Sequence, residues 1–328
     1  MDRRSLLATG AFGTLAALCG RPVAAAAQTA QSWPQRAVKF ILPLGPGSGV
    51  DIGARLFADR LSAKWGKPVV VENRPGGDAI VAISAFTSAN DDHVLLMAPT
   101  STFTAHPFIH DKIPYDMRDL VPIARITNTI VAAGVPVSLN VNTLKEFIDL
   151  ARAQPGKFNS AGTTGAVDFV VAGFLKEAGA DVSKVPYRDG VQAVNDLAEG
   201  RIQLYVAALA IMRPQVQAGK VKIIAVTNHE RAPILPDVPT ALEAGYPALE
   251  FDGLVGLFGP RTMAADLRDR IAADVIEVGK DPEIAAKLTA TAQVLRPGTG
   301  AEFAREIEEQ RTRVAAAAKA AGFKQLSQ

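Results

Sequence analysis

The stretch Gly45-Pro46-Gly47-Ser48-Gly49-Val50-Asp51 follows an apolar run, Val38 to Leu42, and leads into Val50, Ala54, Phe57 and Leu61 at helical spacing. A strand, a glycine turn and a helix start can together hold an anion. The first N–H groups of a helix have no internal acceptor and lie at the positive end of its dipole. Two phosphate readings fail. A Walker loop needs Lys-Ser/Thr after its last glycine, and Val50-Asp51 follows Gly49. A dinucleotide fingerprint counted from Gly47 and Gly49 needs glycine where Ile52 stands. An aspartate in the mouth would also repel a pyrophosphate. What remains is a site of backbone amides suited to a carboxylate, or a tight turn capped by Asp51.

A second donor-rich segment, Gly162-Thr163-Thr164-Gly165-Ala166-Val167-Asp168, has the same character, and its plainer reading is a helix N-terminal turn. Pro99-Thr100-Ser101-Thr102 is a polar turn after a third predicted strand, His93 to Met97. Catalytic constellations are poor. Pro46 occupies the first glycine that a Gly-x-Ser-x-Gly nucleophile turn requires. His106 and His110 lie four apart, but Pro107 stands between them and no glutamate follows His106, so they read as a plain loop pair. His93 and His229 have no recognisable partners, and Trp65 reads as helix-end packing. No enzyme chemistry, metal or cofactor is expected.

The elements that position these loops alternate in type. Thr143 with Glu146 is a capping box ahead of an apolar face of Leu144, Phe147, Ile148 and Ala151. Asp189 caps a helix that Gly200 closes, and Arg201 to Ala207 and Val221 to Val226 read as strands. Thr240 with Glu243 predicts a short helix stopped at Gly245, and Thr299 with Glu302 opens a long last helix that turns Phe303, Ile307 and Val314 inward. Such β-α-β alternation predicts an α/β fold with parallel sheets. One donor loop per half suggests two lobes with a cleft beyond the strand ends.

The 328 residues suffice for two domains, and 48% hydrophobic content supplies their cores. With 35 Lys+Arg against 33 Asp+Glu and no basic stripe, a nucleic-acid partner is not expected. Residues 1–27 read as an export signal, with Arg3-Arg4 ahead of an apolar stretch and a small-residue cut after Ala27. The arginine pair leaves Sec and twin-arginine export both open. Cys19, the sole cysteine, lies in that segment, so the mature chain has no thiol chemistry. Cleavage removes Arg3, Arg4, Arg21 and Asp2, leaving a formally neutral protein for the periplasm.

From Val38 to Gly77, "VKFILPLGPGSGVDIGARLFADRLSAKWGKPVVVENRPGG" resembles the opening of the Bug family, the extracytoplasmic solute receptors of tripartite tricarboxylate transporters. "IPYD" at Ile113, "VPYRDG" at Val185, "AGKVKIIAVT" at Ala218 and "RAPILPDVPTALEAGYP" at Arg231 follow in the family's order. The resemblance implies a type II periplasmic-binding fold. Its lobes would be residues 34–130 with 251–328, and residues 131–250. It also implies a monomer that closes on a small organic acid and delivers it to membrane permease subunits. The family's binding loops fall on Leu44, Gly45, Pro46, Gly47, Ser48, Gly49 and Asp51, and on Thr100, Ser101 and Thr102. In the second lobe they fall on Gly162, Thr163, Thr164 and Asp168, and on Tyr187 and Arg188.

Two departures are informative. Asp168 stands where the family has small neutral residues, and Ala207 where it tends to carry aspartate. Asp168 is therefore expected to face the cleft and read a donor on the ligand, with Arg188 as the internal partner that would otherwise neutralise it. A hydrolase on a similar fold, or a binding protein serving a signalling partner, are the competing readings.

Overall fold

Buried-strand composition at Val38–Leu42 and helical spacing after Ser48 produce the first strand and helix, and this unit sets the pattern of the lobe. The computed structural model describes residues 33–162 and 165–326. The export signal expected at 1–27 and the loop residues Thr163 and Thr164 lie outside them. Eleven strands form among the described residues. They are β1 (Val38–Leu42), β2 (Val69–Asn73), β3 (Val94–Pro99), β4 (Val121–Thr129), β5 (Val131–Pro136), β6 (Phe158–Gly162), β7 (Val182–Pro186), β8 (Tyr205–Ala208), β9 (Val221–Val226), β10 (Gly253–Gly259) and β11 (Gln293–Thr299).

The first lobe is a six-stranded sheet in the order β11-β4-β10-β3-β1-β2. Its β2, β1 and β3 run parallel, as crossover helices require. The expectation of parallel sheets holds there and for β6 with β7, but not elsewhere. β10 pairs antiparallel with β3 and β4, and β11 antiparallel with β4. The reason is connectivity, since β4 leaves this sheet and returns through β10 after the second lobe has been built. In the second lobe β5 pairs antiparallel with β8 and β9, while β6 and β7 are parallel.

Helix 49–65 shows why the local reading succeeds. Ser48 caps it, Gly66 ends it in the left-handed conformation, and Val50, Ala54, Phe57 and Leu61 are buried. The last helix, Gly300–Ala321, opens with the expected capping box at Thr299 and Glu302. Its Phe303 and Ile307 pack in the first lobe, and its Val314 and Ala318 in the core of the second. Two details differ from expectation. Thr240 and Glu243 make their reciprocal bonds, but the chain turns without forming a helix. Residues 201–204 bend before β8 begins at Tyr205.

The lobes are joined where β4 passes into β5 at Ile130 and where β9 leads back to β10. Buried amides fill this crossing. Asn228 donates to Asn128 Oδ1 and to the Thr129 carbonyl, both at 3.0 Å, and accepts from the Val131 amide at 2.9 Å. Asn128 donates to Asp252 at 2.6 Å, and Thr227 Oγ1 to the Phe251 carbonyl at 2.8 Å. A buried polar group left without its partner costs about 1–3 kcal/mol. Replacing Asn228 with Ala takes the acceptor from the Val131 amide and the donor from Asn128 Oδ1 and the Thr129 carbonyl at once. Urea unfolding should therefore show a loss of about 2–4 kcal/mol, and a loss under about 0.5 kcal/mol would remove the crossing network from the list of stabilising features.

Candidate functional site

The glycine loop of the first lobe is held from inside. Ser48 Oγ accepts from the Asp51 amide at 3.2 Å. Asp51 is 2% exposed, and its carboxylate takes the Gly47 amide at 2.9 Å, Arg55 Nε at 3.1 Å and Asn73 Nδ2 at 2.9 Å. Asn73 also donates to the Leu44 carbonyl at 2.9 Å, which ties β2 to the loop. Burial raises the Asp51 pKa, but Arg55, the Gly47 amide and Asn73 outweigh it and leave the carboxyl below its ordinary value. Gly47 has φ +82°, a conformation that suits glycine. The Gly49 and Val50 amides, first in the helix, have no acceptor among the described residues. Asp51 thus shapes the loop, its carboxylate bonded to Gly47, Arg55 and Asn73.

A second loop lies beside it. Asp78 and Ala79 both have positive φ, 50° and 71°, directly after Gly76 and Gly77 in the same half of φ space. Such non-glycine geometry persists only where neighbours enforce it. The enforcing group is His106, fully buried. Its Nε2 lies 2.7 Å from the Asp78 carbonyl and its Nδ1 2.5 Å from the Tyr115 hydroxyl. A carbonyl only accepts, so Nε2 carries the proton and the tyrosine O–H donates to Nδ1. Burial lowers the His106 pKa, which agrees with this neutral tautomer. His110 approaches the Asp78 carboxylate at 3.3 Å. The histidine pair is a structural clamp on a cleft loop, which is more than the sequence suggested.

In the second lobe, Gly165 precedes helix 166–177 and Asp168 sits in its first turn. Asp168 forms an ion pair with Lys184 of β7 at 2.5 Å. The internal partner is therefore Lys184, whereas Arg188, the expected one, is exposed. Parallel pairing of β6 with β7 sets this outcome, because it lays the Lys184 stem across Gly162, where any side chain would collide with it. Tyr187 gives its hydroxyl to Asp196 at 2.7 Å.

One cavity of about 340 Å³ brings Leu44 and Gly45, Asp78 and Ala79, Thr102, and Gly165 of the facing lobe together, with Ile109 on its wall. Of the remaining expected residues, Pro46 and Gly47 are exposed on the loop and Ser101 is half-buried. Thr100 is fully buried and donates to Gln310 at 2.6 Å, so it braces the last helix. Ala207 pairs with Ala132 inside the second-lobe core. Asp78, Ala79 and Ile109 were missed. The double glycine at Gly76-Gly77 was the available signal for that turn. No group of three or more metal-ligating side chains occurs among the described residues.

Comparison with known proteins gives this geometry its context. Residues 53–323 match the model of the tripartite tricarboxylate transporter family receptor, TctC. A protein encoded in the tcbD-tcbE intergenic region of Pseudomonas sp. strain P51 is 30% identical over 267 residues, which are 80% of this chain and 79% of that one. A solved structure described as a periplasmic transporter is 30% identical with a TM-score of 0.75, covering 88% of this chain and 97% of its own. R. palustris Rpa4515, solved with adipate, is 26% identical with a TM-score of 0.77, covering 89% and 99%. The fold is that of a two-lobed periplasmic binding protein, and the chain belongs to the TctC family of receptors.

Proposed function

We propose that this protein is an exported periplasmic receptor that closes on a small organic acid and passes it to the membrane permease of a tripartite tricarboxylate transporter. The carrying observation is the pair of unaccepted helix-start amides at Gly49 and Val50 in a loop that Asp51 holds open. Facing it across the cavity is the start of helix 166–177. A carboxylate offers several lone pairs to such donors and gains from the helix dipole. The adipate held by the R. palustris neighbour supports this ligand class. Residues 1–27 would serve as the export signal, and no helix among the described residues is long and apolar enough to cross a membrane. Closure would bring residues 131–250 toward residues 34–130 and 251–328 by bending at the crossing strands.

A thermal-shift panel of carboxylates, amino acids and neutral analogues on ligand-stripped protein tests this reading. A bound acid at a hundred times its dissociation constant stabilises the native state by about 2.7 kcal/mol. A folded protein whose melting point no acid moves would overturn the assignment.

The Asp51 clamp makes a separate prediction. Replacing Asp51 with Asn removes charge-assisted bonds each worth about 1.5–3 kcal/mol. The variant should lose roughly 2 kcal/mol of stability at neutral pH and bind the acid more weakly. The folded-state pKa of Asp51 is depressed, so its contribution is complete above the unfolded value near 3.8 and disappears as pH falls through the lower folded value. The stability gap between wild type and variant should narrow below about pH 4. A gap that stays constant to pH 2 would show that ionisation of Asp51 is not what holds the loop.

A further inference from the structure

A second cavity, of about 260 Å³, opens beside the first and shares Ile109 and Gly165 with it. Its walls are apolar. Phe108 and Phe323 flank Phe169, with ring centres 5.6 and 5.0 Å from it. Its lining also carries two charges, Asp168 and Lys184. Among the described residues lining these two cavities, Lys184 is the only cation.

The two members of that ion pair are not equally available. The Asp168 side chain is 12% exposed, whereas that of Lys184 is 50% exposed. An ammonium has three N–H donors, and the bond to Asp168 uses one. The lysine stem is steered here by the absence of a side chain at Gly162. The crevice therefore joins apolar walls and one ammonium donor to the cavity that holds Leu44 and Gly45. That combination of surfaces matches one class of solute.

Building on the receptor reading, we propose that the crevice takes the alkyl arm of an elongated organic acid, and that Lys184 reads a second acceptor, a carboxylate or carbonyl, at the arm's far end. A short acid would fill only the first cavity. Asp168 then acts as the group that holds the lysine in place, and does not itself contact the ligand.

Calorimetric titration of the mature protein with two straight-chain series, the α,ω-dicarboxylates from four to ten carbons and the matching monocarboxylates, tests this. Affinity should rise with chain length by up to about fourfold per methylene while the arm remains in the crevice. At the favoured length the dicarboxylate should exceed the monocarboxylate by roughly tenfold. Lys184→Met should bring that ratio close to one. Phe323→Ser, a change at a half-exposed wall residue, should flatten the length dependence of both series. Binding of short acids with no gain on lengthening would overturn the crevice and leave the receptor reading standing. A ratio that survives Lys184→Met would overturn the role of the lysine. Failure of every acid in both series would overturn the receptor reading and the crevice with it.

Discussion

The cleft depends on where one buried carboxylate spends its charge. Asp51 lies in the first turn of helix 49–65, the place where a negative charge is stabilised, and it is also bonded to the Gly47 amide four residues back. That single bond ties the glycine loop to the helix start. Arg55 and Asn73 meet the remaining capacity of the carboxylate, so the charge is balanced inside the loop. The glycine loop then presents amides to the cleft while the Asp51 charge stays inside it. Without this pairing, an aspartate at the mouth would repel the ligand class that the rest of the loop suits.

The crossing between lobes places a second constraint on the same site. Strands that pass from one sheet to another bury backbone in a region with few ladder partners, and each unpaired group is costly. Asn128, Asn228, Thr227 and Asp252 supply the missing partners. Side-chain amides accept small changes of angle more readily than a continuous ladder, and such a joint tolerates bending at a few residues. The helix 300–321 acts against unlimited opening. It packs Phe303 in the first lobe and Val314 in the second, with Gly173 lying close against the Ala317 backbone.

The parts legible in the sequence were those written in local chemistry. The Ser48 cap, the apolar spacing to Leu61 and the box at Thr299 each name their own partner within a few residues. The glycine turn before that helix was legible for the same reason. What the sequence hid were relations across strands. Lys184 becomes the neighbour of Asp168 only through parallel pairing of β6 with β7. His106 matters to the cleft only because the fold returns it to Asp78, 28 positions earlier in the chain. Thr100 and Ala207 sit in segments expected to bind, yet their side chains turn into packing. Segment and side-chain direction are separate facts, and only the first is carried by a motif.

The two halves of the cleft solve one electrostatic problem in different ways. In the first lobe the cation, Arg55, is locked to a buried carboxylate and points away from the ligand loop. In the second, the carboxylate of Asp168 is mostly covered, and the cation, Lys184, is the member left half in solvent. The glycine loop of the first lobe offers only backbone dipoles, whereas the second lobe offers a charge. Dipoles fixed in a loop recognise shape and lone-pair direction at short range. A half-exposed ammonium acts over a longer distance, is screened by salt and follows its flexible stem. An acid with two ends would therefore be held firmly at the first lobe and sorted at the second. That division agrees with the Asp51 loop being clamped at three points, whereas the second-lobe reader depends on one ion pair and the space over Gly162.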